Sequence, residues 1–148
     1  MRFRHTMIRV EDLDAAIDFW VGTLGLVETR RDDYPEGKFT LVFLAAPMDE
    51  QTALDTRAPE LELTYNWEGG EQPRVEGRAW GHLAYNVENI YEFCQGLVDK
   101  GLTINRPPCD GKMAFIKSPE GISIEIIQEG QALPAQEPWA SMENIGTW

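Results

Sequence analysis

The sequence predicts an α+β fold made of two copies of one βαβββ module, and two observations support this. The first is a repeated opening: His5 begins the stretch His-Thr-Met-Ile-Arg-Val-Glu-Asp-Leu, and His82 begins His-Leu-Ala-Tyr-Asn-Val-Glu-Asn-Ile. The second is a repeated ending, because each copy closes on an apolar strand with a glutamate at its centre, Glu62 in the first and Glu125 in the second. The chain is therefore expected to be an internal duplication.

The first module, residues 1–67, reads as a strand, a helix and three strands. Alternation along the opening strand places His5 and Arg9 on the same face. Asp12 is suited to cap the helix that follows, and Gly25 is suited to end it. The predicted elements are a strand at 3–10, a helix at 12–24, strands near 26–33 and 39–46, a surface loop at 47–58 and a strand from 59 to 62.

The second module, residues 79–128, repeats this order after a linker at 68–78 that is rich in Gly, Glu and Pro. Its helix is expected to end at Gly101. The predicted elements are a strand at 79–87, a helix at 89–100 with Ile90, Phe93 and Leu97 inward, and strands near 102–106, 113–117 and 122–128.

The C-terminal tail, residues 129–148, fits no regular element. One interpretation is a loosely attached segment, as is common at chain ends. The alternative is a segment that packs on the domain or on a partner subunit, because Trp139 and Trp148 are large apolar side chains. The sequence leaves both open.

Composition excludes several classes of function. The chain has 148 residues, 43% of them hydrophobic, and a formal net charge of −12, which disfavours binding to nucleic acid or to anionic membrane surfaces. There is no apolar run of membrane-spanning length and no signal-peptide pattern at the N-terminus. Cys94 and Cys109 occupy unrelated positions and are expected to be free thiols. The expected location is the cytoplasm.

The repeated residues have the chemistry of a metal site. The chain contains two histidines, and both occupy the repeated position. Two imidazoles and two carboxylates suit divalent Ni, Co, Zn, Mn or Fe. Both glutamates are placed within apolar strands, where a carboxylate is costly unless it is paired or bound to a metal. A pseudo-twofold arrangement of the copies would bring the four together, so the sequence predicts a metal site formed by His5, Glu62, His82 and Glu125, and favours an enzyme.

Three further polar residues are expected on the same strand faces. Arg9 follows His5 by four residues, Arg78 precedes His82 by four, and Asn66 follows Glu62 by four. The two arginines concentrate positive charge where an anionic ligand would need it. The alternative is that they form ion pairs with some of the 25 acidic residues.

Several segments resemble glyoxalase I, the lactoylglutathione lyase family of the vicinal oxygen chelate superfamily. They are the opening His-Thr-Met-Ile-Arg-Val, the Gly81-His82 pair, the run Glu-Leu-Thr-Tyr-Asn-Trp at 62–67 and the closing Ser-Pro-Glu-Gly-Ile-Ser-Ile-Glu at 118–125. The resemblance extends over residues 1–128. It implies a pair of βαβββ modules whose mixed sheets curve around a metal site.

The resemblance also implies roles for individual residues. It assigns the metal to His5, Glu62, His82 and Glu125, and glutathione to Arg9, Asn66 and Arg78. Arg106 occupies a position where some members have Lys, and Lys112 and Met113 fall on the loop that closes over glutathione. The loop after Met113 is shorter than in eukaryotic members. The usual form is a homodimer in which each site takes one module from each subunit.

The implied reaction is the isomerisation of the hemithioacetal of methylglyoxal and glutathione to S-D-lactoylglutathione. Each site would hold one divalent metal, with Ni or Co slightly favoured over Zn because the chain is short and has no long N-terminal arm. Glu125 is assigned as the base and Glu62 as the ligand on the opposite side of the metal, although their equivalence would let either serve.

Three other functions remain as alternatives. A dioxygenase of the superfamily would use two His and one carboxylate, and the fourth ligand, Glu62, disfavours it. An epimerase commonly has Gln at the second ligand position, whereas this chain has Glu there. A metal-free binding module of the same fold would lack the ligand set. Cys109 is expected to be a solvent-facing loop residue, with formation of a mixed disulfide as the alternative role.

Overall fold

The structure, a computed structural model, describes residues 3–68 and 80–147. The chain divides into two compact units, Met1–Val75 and Glu76–Trp148. Each unit has one sheet that combines a parallel strand pair with an antiparallel pair. This confirms the predicted α+β class and its mixed sheets.

The first unit contains a four-stranded sheet in the order β1-β4-β3-β2. Neighbours β1 and β4 run parallel, and the other neighbours run antiparallel. One face of β1 is buried through Ile8 and Val10, whereas Met7 and Arg9 on the other face are exposed. The sheet thus has an open face. Its strands are β1 His5–Val10, β2 Val27–Tyr34, β3 Phe39–Ala45 and β4 Glu60–Asn66.

The predicted first helix is confirmed. Helix α1 covers Leu13–Ile17 and continues as a π-helical segment over Asp18–Thr23. The carboxylate of Asp12 accepts the amide hydrogen of Ala15 at 3.0 Å, which is an N-cap. Gly25 follows with a φ of +90°, a conformation that favours glycine.

The surface loop predicted at 47–58 is wrong. A 3₁₀ turn at Pro47–Asp49 leads into helix α2, Glu50–Thr56. This helix is short, and Ala53 is its only buried side chain. It therefore shows no helical hydrophobic stripe. Its polar composition therefore concealed the helix.

The second unit contains a three-stranded sheet in the order β5-β7-β6, covered by helix α3, Ile90–Asp99. Asn89 caps the helix by accepting the amide hydrogens of Tyr91 and Glu92. Ile90 and Leu97 are buried as predicted, but the rest of the apolar face consists of Tyr91 and Cys94, and Phe93 is only half-buried. The strands are β5 His82–Val87, β6 Met113–Lys117 and β7 Ser123–Gln128.

The strand predicted at 102–106 is wrong. The segment makes one isolated antiparallel bridge, between Arg106 and Phe115. Pro107 and Pro108 follow directly. Proline has no amide hydrogen to donate, so the ladder cannot continue past Arg106.

The tail packs on the second unit over residues 129–147. Trp139 is 4% exposed. The amide of Leu133 donates to the carbonyl of Gly111 at 3.0 Å, and the amide of Ile145 donates to the carbonyl of Asn105 at 2.8 Å. The interpretation as a loosely attached tail is therefore wrong for this part, and Trp148 lies outside the described residues.

Two other expectations can be compared with the structure. Cys94 is buried, Cys109 is half-buried, and both are free thiols as predicted. In residues 3–68 and 80–147 the helices fall short of the length and apolarity needed to cross a bilayer.

Candidate functional site

His5 and Glu62 form a pair on the open face of the first sheet. The parallel register places His5 beside Glu60 and Met7 beside Glu62. Because side chains alternate along each strand, His5 and Glu62 point to the same face. The His5 Nε2 and Glu62 Oε2 atoms are 3.1 Å apart, and the Glu62 side chain is 13% exposed. The face that carries Ile8 and Val10 is buried, which fixes which side of β1 His5 occupies.

The second unit repeats this pair. His82 lies beside Ser123 and Ala84 beside Glu125, the same offset as in the first unit. The His82 Nε2 and Glu125 Oε2 atoms are 3.0 Å apart, and the Glu125 side chain is 14% exposed. The two predicted pairs are therefore nearly identical in separation and burial.

Each pair is accompanied by a phenylalanine that the sequence reasoning missed. Phe43 lies opposite Glu62 on β3, and its ring meets His5 edge to face with centroids 6.1 Å apart. Phe115 lies opposite Glu125 on β6, and its ring meets His82 in the same way at 5.4 Å. Both phenylalanines occur in an apolar strand that precedes the glutamate strand, and comparing these strands between copies would have found them.

The two pairs have the donor chemistry of a divalent metal site. Imidazole nitrogen and carboxylate oxygen are both ligands of divalent metals, and each unit places one of each side by side, 3.1 Å apart in the first and 3.0 Å apart in the second. Each unit supplies one such pair. No cluster of three or more His, Cys, Asp or Glu side chains suited to a metal occurs in the described part of the chain. Each unit therefore supplies two of the four predicted ligands.

His5 has one unusual feature. Its Nδ1 atom is buried and has no hydrogen-bond partner among the described residues. Histidines that bind metals usually donate from the second ring nitrogen to a carbonyl or carboxylate, and this fixes the ring. The His5 ring must be held by other contacts.

The residues predicted for glutathione are distributed over both units. Arg9 is exposed on β1, four residues from His5 and on the same face, and Asn66 ends β4 half-buried. Arg78 lies outside the described residues. The glutathione role of these three residues stays a prediction.

Arg106 and Lys112 lie on one loop that ends at Met113, the first residue of β6, and this loop is closed by its own contacts. The Arg106 guanidinium donates to the Met113 carbonyl and, at 2.8 Å, to the Asp110 carboxylate. Burial alone would raise the pKa of Asp110, but hydrogen bonds from Arg106 and from the amides of Lys112 and Met113 lower it below its ordinary value. The Lys112 ammonium donates to the carbonyls of Gln128 and Gly130.

A cavity of about 390 Å³ opens beside His82 in the second unit. It is lined by side chains of the open sheet face, including Phe115, Lys117 and Ser123, and by Thr147 of the tail. Lys117 lies directly opposite Ser123. The sequence reasoning missed this lysine, which adds positive charge to the face that carries His82.

Known proteins are similar to this chain over most of its length. The statistical model of the glyoxalase/bleomycin resistance protein/dioxygenase superfamily matches residues 2–126. A probable lactoylglutathione lyase of Synechocystis sp. is 40% identical over 129 residues, which cover 84% of this chain and 92% of the relative. A lactoylglutathione lyase of Neisseria meningitidis serogroup B is 39% identical over 135 residues, which cover 87% and 91%.

A solved structure shows the same relationship in three dimensions. The trypanothione-dependent glyoxalase I of Leishmania major superposes with a TM-score of 0.73 at 38% identity, covering 87% of each chain. The residues that the family model matches, 2–126, include both His–Glu pairs. The chain therefore belongs to the glyoxalase/bleomycin resistance protein/dioxygenase superfamily.

Proposed function

We propose that this chain is a lactoylglutathione lyase, which isomerises the hemithioacetal of methylglyoxal and glutathione to S-D-lactoylglutathione. The carrying observation is the His–Glu pair that recurs in both units with separations of 3.1 and 3.0 Å. Similar proteins from Synechocystis sp. and Neisseria meningitidis that carry this name support the choice of reaction.

The two pairs would hold one divalent ion through His5, Glu62, His82 and Glu125. When bound, the ion supplies a Lewis acid that stabilises the negative charge developing on the substrate oxygens. Nickel or cobalt is favoured over zinc. Each unit offers one pair, which supports a homodimer in which His5 and Glu62 of one subunit complete a site with His82 and Glu125 of the other. The free cysteines agree with a cytosolic location.

Glu125 is the proposed base. Its carboxylate takes the proton from C1 of the hemithioacetal and returns it at C2, so the reaction is an internal redox isomerisation with no net loss of atoms. His82 and Phe115, the two side chains that flank Glu125, both line the cavity of the second unit. Glu62 would serve as the second carboxylate ligand of the metal.

The remaining residues bind the glutathione part of the substrate. Arg9 and Arg78 supply positive charge for its carboxylates, and Asn66 supplies an amide. Arg106, Lys112 and Met113 shape the loop beside it. Anchoring the substrate at a distance from the reacting carbons places C1 within reach of the base, and such positioning can contribute several powers of ten to the rate.

The test is thioester formation from methylglyoxal and glutathione. The protein is stripped with a chelator and reloaded separately with Ni, Co, Zn or Mn. Activity that disappears on stripping and returns with a particular metal supports the proposal. Stoichiometric metal binding without activity would point to another enzyme of the superfamily, and absence of metal binding would point to a metal-free binding module.

A further inference from the structure

A buried ion pair lies close to His5 in the first unit. Arg30 on β2 places its Nη1 atom 3.2 Å from the Glu60 Oε2 atom on β4. The Glu60 side chain is 0% exposed and that of Arg30 is 18% exposed. Burying two charges is costly, so such a pair persists where its geometry is good and its remaining atoms are hydrogen-bonded.

A β-bulge supplies the remaining hydrogen bond to the carboxylate. The register between β2 and β3 shifts between Glu28 and Arg30, which leaves Thr29 out of the ladder. The Thr29 hydroxyl contacts Glu60 Oε1 at 2.7 Å and the Phe43 carbonyl oxygen at 3.1 Å. Bulges redirect side chains in this way, and here the bulge lets two consecutive residues reach the same carboxylate.

Glu60, together with the more exposed Asp32, whose Oδ2 atom is 3.2 Å from Arg30 Nε, holds the guanidinium against Phe43. The Arg30 Cζ atom is 3.3 Å from the centroid of the Phe43 ring. A cation this close to an aromatic face is attracted by the electron density of the ring. The same ring contacts His5 edge to face, with centroids 6.1 Å apart. A continuous series of contacts therefore joins Glu60, Arg30, Phe43 and His5.

The second unit has an equivalent arginine and phenylalanine but lacks the buried carboxylate. Arg106 lies opposite Phe115, as Arg30 lies opposite Phe43. However, the residue beside His82 is Ser123, whereas the residue beside His5 is Glu60. Arg106 is directed instead to Asp110 and the Met113 carbonyl. The ion pair is thus particular to the first half of the duplicated site.

We infer that Arg30 and Glu60 are positioning residues, which hold Phe43 against His5 and so orient the imidazole for metal binding. This inference rests on the proposed metal role of His5. It explains how the His5 ring is held although its Nδ1 atom has no hydrogen-bond partner in the described parts of the chain. Packing against Phe43 replaces the hydrogen bond that usually orients a metal-binding histidine.

The test measures the affinity for Co(II) by competition with a chromophoric chelator, together with the visible spectrum of the cobalt-loaded protein and kcat and KM. Arg30→Ala is expected to weaken cobalt binding about tenfold or more, the size of effect seen when the support of a metal ligand is removed. The cobalt spectrum should change, and kcat should fall while KM stays within about twofold. Arg30→Lys should restore part of the affinity, because an ammonium can still pair with Glu60.

Arg31→Ala is the matched control. Arg31 is the next residue on the same strand, and its guanidinium pairs with Glu28 at 2.7 Å with 41% of the side chain exposed. This variant loses the same charge and should retain wild-type cobalt affinity and kcat. If Arg31→Ala weakens cobalt binding as strongly as Arg30→Ala, a general charge effect explains the loss and the positioning role is refuted.

A double variant separates positioning from stability. Arg30→Ala leaves Glu60 buried without its partner and lowers the melting temperature, whereas Arg30→Ala with Glu60→Gln removes both charges and should recover much of that loss. Positioning predicts that the double variant still binds cobalt weakly. Wild-type cobalt affinity in the folded double variant would overturn the inference. His5→Gln is measured in parallel. If this variant keeps wild-type cobalt affinity, the proposed metal site is wrong. If His5→Gln loses cobalt affinity but Arg30→Ala keeps it, the positioning role alone is refuted.

Discussion

The assignment of Glu125 as the base can be tested by comparing Glu125→Gln with Glu62→Gln. The two glutamates have closely matched surroundings. Glu62 lies 3.1 Å from His5 and its side chain is 13% exposed, and Glu125 lies 3.0 Å from His82 and its side chain is 14% exposed. Each substitution replaces one carboxylate oxygen with an amide nitrogen of the same shape. The loss of one charged metal ligand should therefore cost the two variants about equally.

The loss of the base should affect Glu125→Gln alone. General base catalysis contributes about 10² to 10⁴ in rate, which corresponds to about 2.7 to 5.5 kcal/mol of activation free energy. We therefore expect kcat of Glu125→Gln to fall at least about 100-fold below kcat of Glu62→Gln. Both variants should stay folded, because the amide retains a hydrogen-bond partner for its histidine and the change in unfolding free energy should stay within about 1 kcal/mol.

The assay is the initial rate of thioester formation at saturating hemithioacetal. The metal content of each preparation is measured, and rates are expressed per occupied site so that weaker metal binding is not counted as lost catalysis. Thermal unfolding checks the fold of each variant. Equal kcat values for the two variants at full occupancy, or a lower value for Glu62→Gln, would refute the assignment of the base.

Three other predictions concern single residues. Gly111→Ala should lower the unfolding free energy by about 1–3 kcal/mol more than Gly130→Ala in a denaturant titration. Both positions have positive φ, but only the new Cβ at Gly111 would clash with the carbonyl oxygen of Leu133. Equal losses would contradict this packing. Burial raises the pKa of Cys94 to about 12. At pH 8 a thiol reagent should therefore modify Cys109 in the native chain and Cys94 only after unfolding. Rapid labelling of both cysteines in the native chain would disprove this prediction. Arg9→Ala should raise KM for the hemithioacetal and leave kcat nearly unchanged, and a fall in kcat at constant KM would exclude Arg9 as a substrate anchor.

Local sequence patterns were sufficient for most elements. Strand alternation and the burial of Ile8 and Val10 place His5 and Arg9 on the open face. The cap at Asp12 and the glycine at Gly25 bound the first helix as expected. These features depend on residues close together in the chain, and short-range geometry is what sequence patterns encode most directly.

Local patterns failed where a segment was short. Helix α2 shows no apolar stripe, because a single buried alanine attaches it to the unit. The segment at 102–106 carries strand-forming residues, but it meets β6 at one bridge, and the carbonyl of Asn105 accepts instead from the amide of Ile145 in the tail. In both cases tertiary packing outweighed composition.

The sequence by itself determined the duplication, the α+β class and the identity of the two His–Glu pairs, because repeated residues and strand alternation are visible along the chain. Tertiary structure alone decided that Phe43 accompanies His5, that Lys117 faces a cavity beside His82, and that Arg30 pairs with Glu60. These contacts join strands far apart in sequence. They depend on strand register and on a bulge, and both are set by packing of the whole sheet rather than by neighbouring residues.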